Sequence, residues 1–400
     1  MSEIVDVDLE HCARGASIWL TDKALPLWAE RGFDSARGSF HERLDFSLAV
    51  VKNVPQRAMV QARQISVFSA ASISGDYASG GELAVIAAEN LIDRYERADG
   101  HPGWVFSLTS TGRIVDAARD LYGHAFILYG LAWAMRVDNR QKFRDAVDRT
   151  VAFLDASMAD PVRGGFWDSL PRHNTYRHQN PHMHLFEAYL ALYESTGEER
   201  FIKRCEDIRR LALKFFLLED TGFLREVFHD DWSVAPSPGC GIVEPGHLFE
   251  WSWLLYRYQD ISGISSESAI SRMMQMAVRH GLDTETGRIL DQISEQGESV
   301  VTSSRSWPHA EALKALTLIP NAIENSSRRA VHKILRRLMT LYCSDSMSGG
   351  WQDQLDEFDV PVRKDIPAST LYHIYFALKE VQKYSLANRP VARVSGGLPS

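Results

Sequence analysis

Four cysteines in 400 residues, Cys12, Cys205, Cys240 and Cys343, stand far apart and form no CxxC pair. That scarcity excludes a disulfide framework and a thiolate zinc cluster, and it suits a reducing cytoplasm. Basic residues number 44 against 52 acidic ones, for a formal net charge of -8, and they form no cluster or stripe. A nucleic-acid or anionic-membrane partner is therefore not expected. No window approaches the roughly 18 uninterrupted apolar residues of a membrane span. The acidic start of the chain lacks the basic and apolar segments of a signal peptide. HExxH and similarly dense ligand motifs are also missing, so no metal is expected. What remains is ordinary globular composition, 45% hydrophobic, with fourteen His and ten Trp. Both residue types are frequent where polar ring-shaped ligands bind.

An internal repeat organises the chain. A Gly followed by a large apolar residue, a short extended stretch, a polar loop and an apolar helix recurs at Gly38, Gly103, Gly165, Gly222, Gly287 and Gly350. The spacings are 65, 62, 57, 65 and 63 residues. Each copy has room for two helices. The first is apolar on most sides, as in the run from His247 to Tyr256, and a helix of that kind is buried. The second is amphipathic and charge-rich, as in the run from Glu198 to Glu206, with one side in water. Six such hairpins close into a two-layered ring; an open superhelix is the competing arrangement, but neither end carries the polar cap such arrays need. The expected fold is all-α, an (α/α)6-barrel over residues 1–387, with short β-hairpin loops at one rim and a flexible tail at 388–400.

In such a ring the first turns of the inner helices converge on one funnel. Read there, five copies supply a His: His124, His184, His247, His309 and His373, at 21, 19, 25, 22 and 23 residues from their glycines. One His on an apolar helix is more often a hydrogen-bonded core residue, but five at matched places point to a polar ligand. His247 and Glu250 are i, i+3; Asn180 and His184, like Arg57 and Gln61, are i, i+4, so each pair shares a face. Histidines titrating near neutrality suit proton abstraction beside a carbonyl. Glycoside hydrolysis needs two carboxylates instead, for which Glu187, Glu250, Glu311, Asp168 and Asp353 are available. Metal binding through His182 and His184, or His247 and Glu250, is a third arrangement.

At these residues the chain resembles the N-acylglucosamine 2-epimerase superfamily over nearly its full length. The carriers are the stretches Arg57–Arg63, Asn180–Ala188, Glu244–Trp251, Arg305–Glu311 and Pro367–His373, with Glu-Pro-Gly-His-x-x-Glu-Trp the most specific. Within it, the chain is most similar to the mannose isomerase group, because Ser306-Trp307-Pro308 stands where a Trp-Trp pair is expected in cellobiose epimerases. The resemblance implies metal- and cofactor-independent conversion of a monosaccharide such as D-mannose or D-lyxose, by isomerisation or 2-epimerisation; a cytoplasmic monomer or homodimer is expected. It implies His247 and His373 as the catalytic pair. Arg57, Tyr122, Asn180, His184, Glu250 and Trp307 would contact sugar, and Gln61, Glu187 and Glu311 would support them.

Overall fold

A computed structural model describes residues 2–172, 175–235, 241–319 and 327–387. Cys240 and the tail at 388–400 lie outside them.

Six inner helices line the axis: α3 (Ala58–Ile73), α5 (Leu121–Val137), α7 (Gln179–Thr196), α9 (Pro245–Ser262), α11 (Ser306–Leu318) and α13 (Leu371–Ala387). Each touches the next, and α13 touches α3, which closes the ring. Around them stand α1 (Ser2–Trp19) with its extension α2 (Leu25–Glu30), α4 (Gly80–Tyr95), α6 (Gln141–Phe153), α8 (Glu199–Leu211), α10 (Glu267–Met276) and α12 (Ser327–Arg337). The sequence dictates the layering. In α8 only Phe201, Cys205, Ile208 and Leu211 are buried, one stripe at helical spacing. Each of these side chains contributes roughly 1.5–3 kcal/mol by leaving water. In α9 every residue from Pro245 to Leu255 is buried. That helix begins with Pro at its first position and ends on Gly263 at φ 72, so both boundaries are written locally.

The repeat is circularly offset. The sixth copy has an inner helix, α13, but its outer partner is α1 from the start of the chain, packed on α12 and α13. The turn glycines show why Gly recurs. Gly38, Gly103, Gly165, Gly222, Gly287 and Gly349 all have positive φ, from 63° to 94°. In the sixth copy the left-handed residue is thus Gly349, one position before the glycine counted in the repeat. A Cβ on Gly287 would lie 2.6 Å from the Lys333 backbone, and one on Gly349 would lie 2.6 Å from that of Lys23. Backbone therefore packs on backbone there, and the last such contact falls on the N-terminal element.

Short antiparallel strands stitch the rim. The strand ahead of each inner helix pairs with one in the following copy, as Gln56–Arg57 does with Ser107–Leu108. The sixth strand, Asp365–Pro367, pairs with Arg43–Asp45 of the first. The expected hairpins are present, and this pairing between copies fixes where each inner helix begins. Among the described residues no helix is long and apolar enough to cross a membrane.

Candidate active site

At the stitched rim the inner helices open into a cavity of about 580 Å³. Tyr122, Asn180, His184, His247, Glu250, Trp307 and His373 line it, joined from the loops by Glu244, Asp291, Arg305 and Asp353. Arg57 does not. Its guanidinium lies 2.5 Å from the buried Glu42 carboxylate at the rim, and the guanidinium in the cavity is that of Arg63. Arg63 donates to the Tyr122 hydroxyl and the Ser369 carbonyl, and it stacks 4.0 Å over the Phe126 ring.

The histidines divide into two sets by helical phase. His124, His182 and His309 are each the fourth residue of their helix. Each Nε2 accepts an amide from its glycine hairpin: Trp104 at 3.2 Å, Phe166 at 3.0 Å and Ile289 at 3.1 Å. Each Nδ1 faces the carbonyl four residues back, at 2.7–2.9 Å. Burial holds them neutral, at about 4, 4 and 3. They fasten hairpin to helix and do not face the cavity. Gln61, fourth in α3, does the same in the first copy through both Phe40 backbone groups, at 2.8 and 2.7 Å.

His247 and His373 are instead third in their helices, and His184 is sixth in α7, a phase that points to the lumen. Arg63, Glu250 and Glu311 are also sixth in theirs. The Trp307 ring lies between the two leading histidines, 5.1 Å from His247 and 5.7 Å from His373.

Their electrostatics are opposite. Burial pushes His247 down, but the carboxylates of Glu226 and then Glu244 outweigh it and hold the imidazole at about 9. Its Nδ1 sits 3.0 Å from both Glu226 oxygens, one of which accepts from Gln179 at 2.8 Å. For His373, burial prevails over Glu311 and the value falls to about 4. Its Nδ1 lies 2.6 Å from Glu311, leaving Nε2 for a ligand. At neutral pH one imidazole is therefore cationic and the other neutral. His184, at about 4, is also kept neutral by burial, with Nδ1 3.1 Å from Glu187.

Below them lie Glu187, Glu250, Glu311 and Lys314, all buried. Ligand atoms of His184, Glu187 and Glu250, and of Glu250, Glu311 and His373, converge within 4.8 Å. The cation set among them is the chain's own Lys314 ammonium, 2.7 Å from Glu311. Burial and then repulsion from Glu311 raise Glu250 well above the usual carboxylate range, which favours its neutral carboxyl form. Asn180 Oδ1 and Glu250 Oε1 are buried without hydrogen-bond partners, and both belong to residues of the cavity wall. Unsatisfied polar atoms there call for a polar ligand.

The model of the N-acylglucosamine 2-epimerase (GlcNAc 2-epimerase) family matches residues 38–377. The chain belongs to that family. A mannose-6-phosphate isomerase of Rhizobium meliloti (strain 1021) is 32% identical over 91% of this chain and 95% of its own length. A cellobiose 2-epimerase of Bacteroides fragilis is 25% identical over 68% of the chain and 73% of its own. The crystal structure of a D-mannose isomerase superposes with a TM-score of 0.80 at 20% identity, covering 91% of this chain and 96% of that one. This epimerase-family member is thus a sugar isomerase or epimerase on an (α/α)6-barrel.

Sequence reasoning missed Glu226, though a signal for it existed. Glu42, Asp168, Glu226 and Asp291 each follow a left-handed glycine by four residues. Each accepts the backbone N–H of the residue just ahead of an inner helix: Arg57 at 3.1 Å, His178 at 3.3 Å, Glu244 at 3.3 Å and Arg305 at 2.8 Å. In three copies that residue is basic, and its side chain pairs with the acid. In the fourth it is Glu244, which cannot pair, and Glu226 serves His247 instead.

Proposed function

We propose that this family member is an aldose–ketose isomerase converting D-mannose, and similar aldoses such as D-lyxose, to the corresponding ketose. The observation that carries the reading is the opposed protonation of two imidazoles across one Trp ring. Environments that drive two titratable groups apart assign the acid and the base. Neutral His373 takes the C2 proton of the opened sugar through Nε2, with its Nδ1–H held by Glu311. Cationic His247 delivers protons to the sugar oxygens, opening the ring and settling charge between O1 and O2. Arg63, rather than Arg57, faces the oxygens of the cis-enediolate, where a preorganised cation lowers the barrier. Tyr122, Asn180, His184, neutral Glu250 and Trp307 hold the hydroxyls and the ring. Return of the proton from His373 to C1 completes the ketose.

The wall also bears on the sugar's charge. Arg305 is already bridged to Glu244 and Asp291, at 3.1 Å each, and Arg363 on the same wall stands 3.7 Å from Asp365. Such a wall suits an unphosphorylated sugar, although the Rhizobium meliloti relative is named for a phosphorylated one. The second reading is 2-epimerisation. It is favoured by the place of His247 beyond Trp307, from which an acid could protonate C2 on the opposite face. Incubation with D-mannose and chromatography of the products separates them. Fructose supports the isomerase, glucose supports the epimerase, and unchanged mannose with folded protein counts against both.

A further inference from the structure

Lys314 has no part in the chemistry above, yet it is one of the most buried charges in the molecule, 1% exposed on α11. Its ammonium lies 2.7 Å from one Glu311 oxygen while His373 Nδ1 lies 2.6 Å from the other. The two cationic-capable groups thus share one carboxylate. Trp253 of α9 covers the ammonium, with the ring centroid 4.0 Å away. The other groups facing this cluster are Glu187 on α7, Glu250 on α9, Tyr372 on α13 and Arg63 on α3. Tyr372 donates to Glu187, so that carboxylate is occupied as well.

Three buried carboxylates around one ammonium cannot all stay ionised without large cost. Glu311 bonds directly to the ammonium and is held anionic, far down the carboxylate range at about 2 although burial alone would raise it. Glu250 makes no such bond, and burial with repulsion from Glu311 favours its protonated form. The choice matters because an anionic Glu311 accepts the Nδ1–H of His373. That fixes the tautomer with the Nε2 lone pair free.

We infer that Lys314 is a positioning residue: it anchors the Glu311 carboxylate and opposes a second positive charge on His373, keeping that imidazole neutral and correctly oriented. This rests on the reading of His373 as the base. Lys314 touches no ligand itself. Burial lowers His373 most, and repulsion from Arg63 and then from Lys314 adds to it, Lys314 being the one that also holds Glu311. Without it, His373 would hold a proton against Glu311 at higher pH.

The test compares wild type with Lys314→Gln and Lys314→Arg. The His373 titration is followed by NMR of 15N-histidine-labelled protein, alongside kcat and KM for D-mannose against pH. In Lys314→Gln the His373 titration is expected to rise by about one unit or more. The acidic limb of kcat should rise equally, kcat should fall roughly tenfold near that limb, and KM should change little. Lys314→Arg should restore both midpoints toward wild type. A Gln variant that folds but leaves the His373 midpoint unmoved overturns the inference, as does an Arg variant as displaced as the Gln one. Wild-type protein inactive on every sugar would defeat the isomerase reading alone, because the NMR titration still decides the role of Lys314. If Lys314→Gln fails to fold, the Arg variant and the wild-type titration carry the comparison: a wild-type midpoint near 6.5 would show that no such restraint acts.

Discussion

Replacing Glu226 by Gln removes a charge while leaving an oxygen for the Nδ1–H of His247. With the imidazole at about 9, His247 is roughly 97% protonated at pH 7.5. Without the carboxylate, burial still pushes it down, and an ordinary or lower value leaves about 10% or less protonated at that pH. An acid needed in the cationic form then costs the Gln variant about tenfold in kcat at pH 7.5. The loss is conditional on pH. With Glu244 still beside it and a value near the ordinary 6.5, most of His247 is cationic again at pH 5.5, and the variant should come within about threefold of wild type. The basic limb of the kcat profile should move from about 9 to 6.5 or below. Stability carries the same signature. A pKa raised in the folded state contributes stability that is full below about 6.5 and lost as pH rises through about 9. Here it is on the order of 3 kcal/mol, so the Tm gap between wild type and variant should shrink above pH 9. Equal losses at pH 5.5 and 7.5, or an unmoved basic limb, would refute the reasoning.

Arg63→Lys keeps a charge but loses the planar fork, and kcat should fall about 100- to 1000-fold, as for removal of one charge-stabilising donor. Arg57→Ala should leave kcat within a few-fold and instead lower Tm, because it strands the buried Glu42 carboxylate; steady-state kinetics and calorimetry on both variants check the assignment. His309→Ala should destabilise by about 2–4 kcal/mol through two lost hydrogen bonds and a buried void. His309→Gln should recover much of that, because Gln61 does the same work in the first copy. Urea unfolding measures both, and kcat of the folded variants should be unaffected.

The ring was legible because it is written six times. A glycine forced by a left-handed turn against neighbouring backbone survives as a period of about 60 residues. The offset of the outer layer was not legible: nothing local in α1 says that it closes the sixth copy. Within the site, counting from the glycines grouped five histidines whose offsets ran from 19 to 25. One residue of helix is about 100° of rotation, so His309 in the fourth place faces the hairpin while His247 in the third faces the lumen. Loop length blurred that phase. Arg57 and Arg63 pose the same problem six residues apart, where the strand–helix junction at Ala58 decides which one enters the cavity. Glu226 was hidden differently. Its role depends on the pairing of its copy's strand and on an acidic neighbour, and neither is visible in one copy alone.

The central claim is that His373 moves one proton between C1 and C2 of a mannose-like sugar. NMR of D-mannose incubated in D2O tests it directly, with wild type and His373→Asn side by side. The account predicts fructose with wild type, carrying deuterium at C1 in the fraction of turnovers in which the proton on His373 exchanges with solvent, and no label or product with the variant while mannose binding persists. Deuterium confined to C2 of glucose, or labelled fructose formed at wild-type rate by His373→Asn, would contradict it.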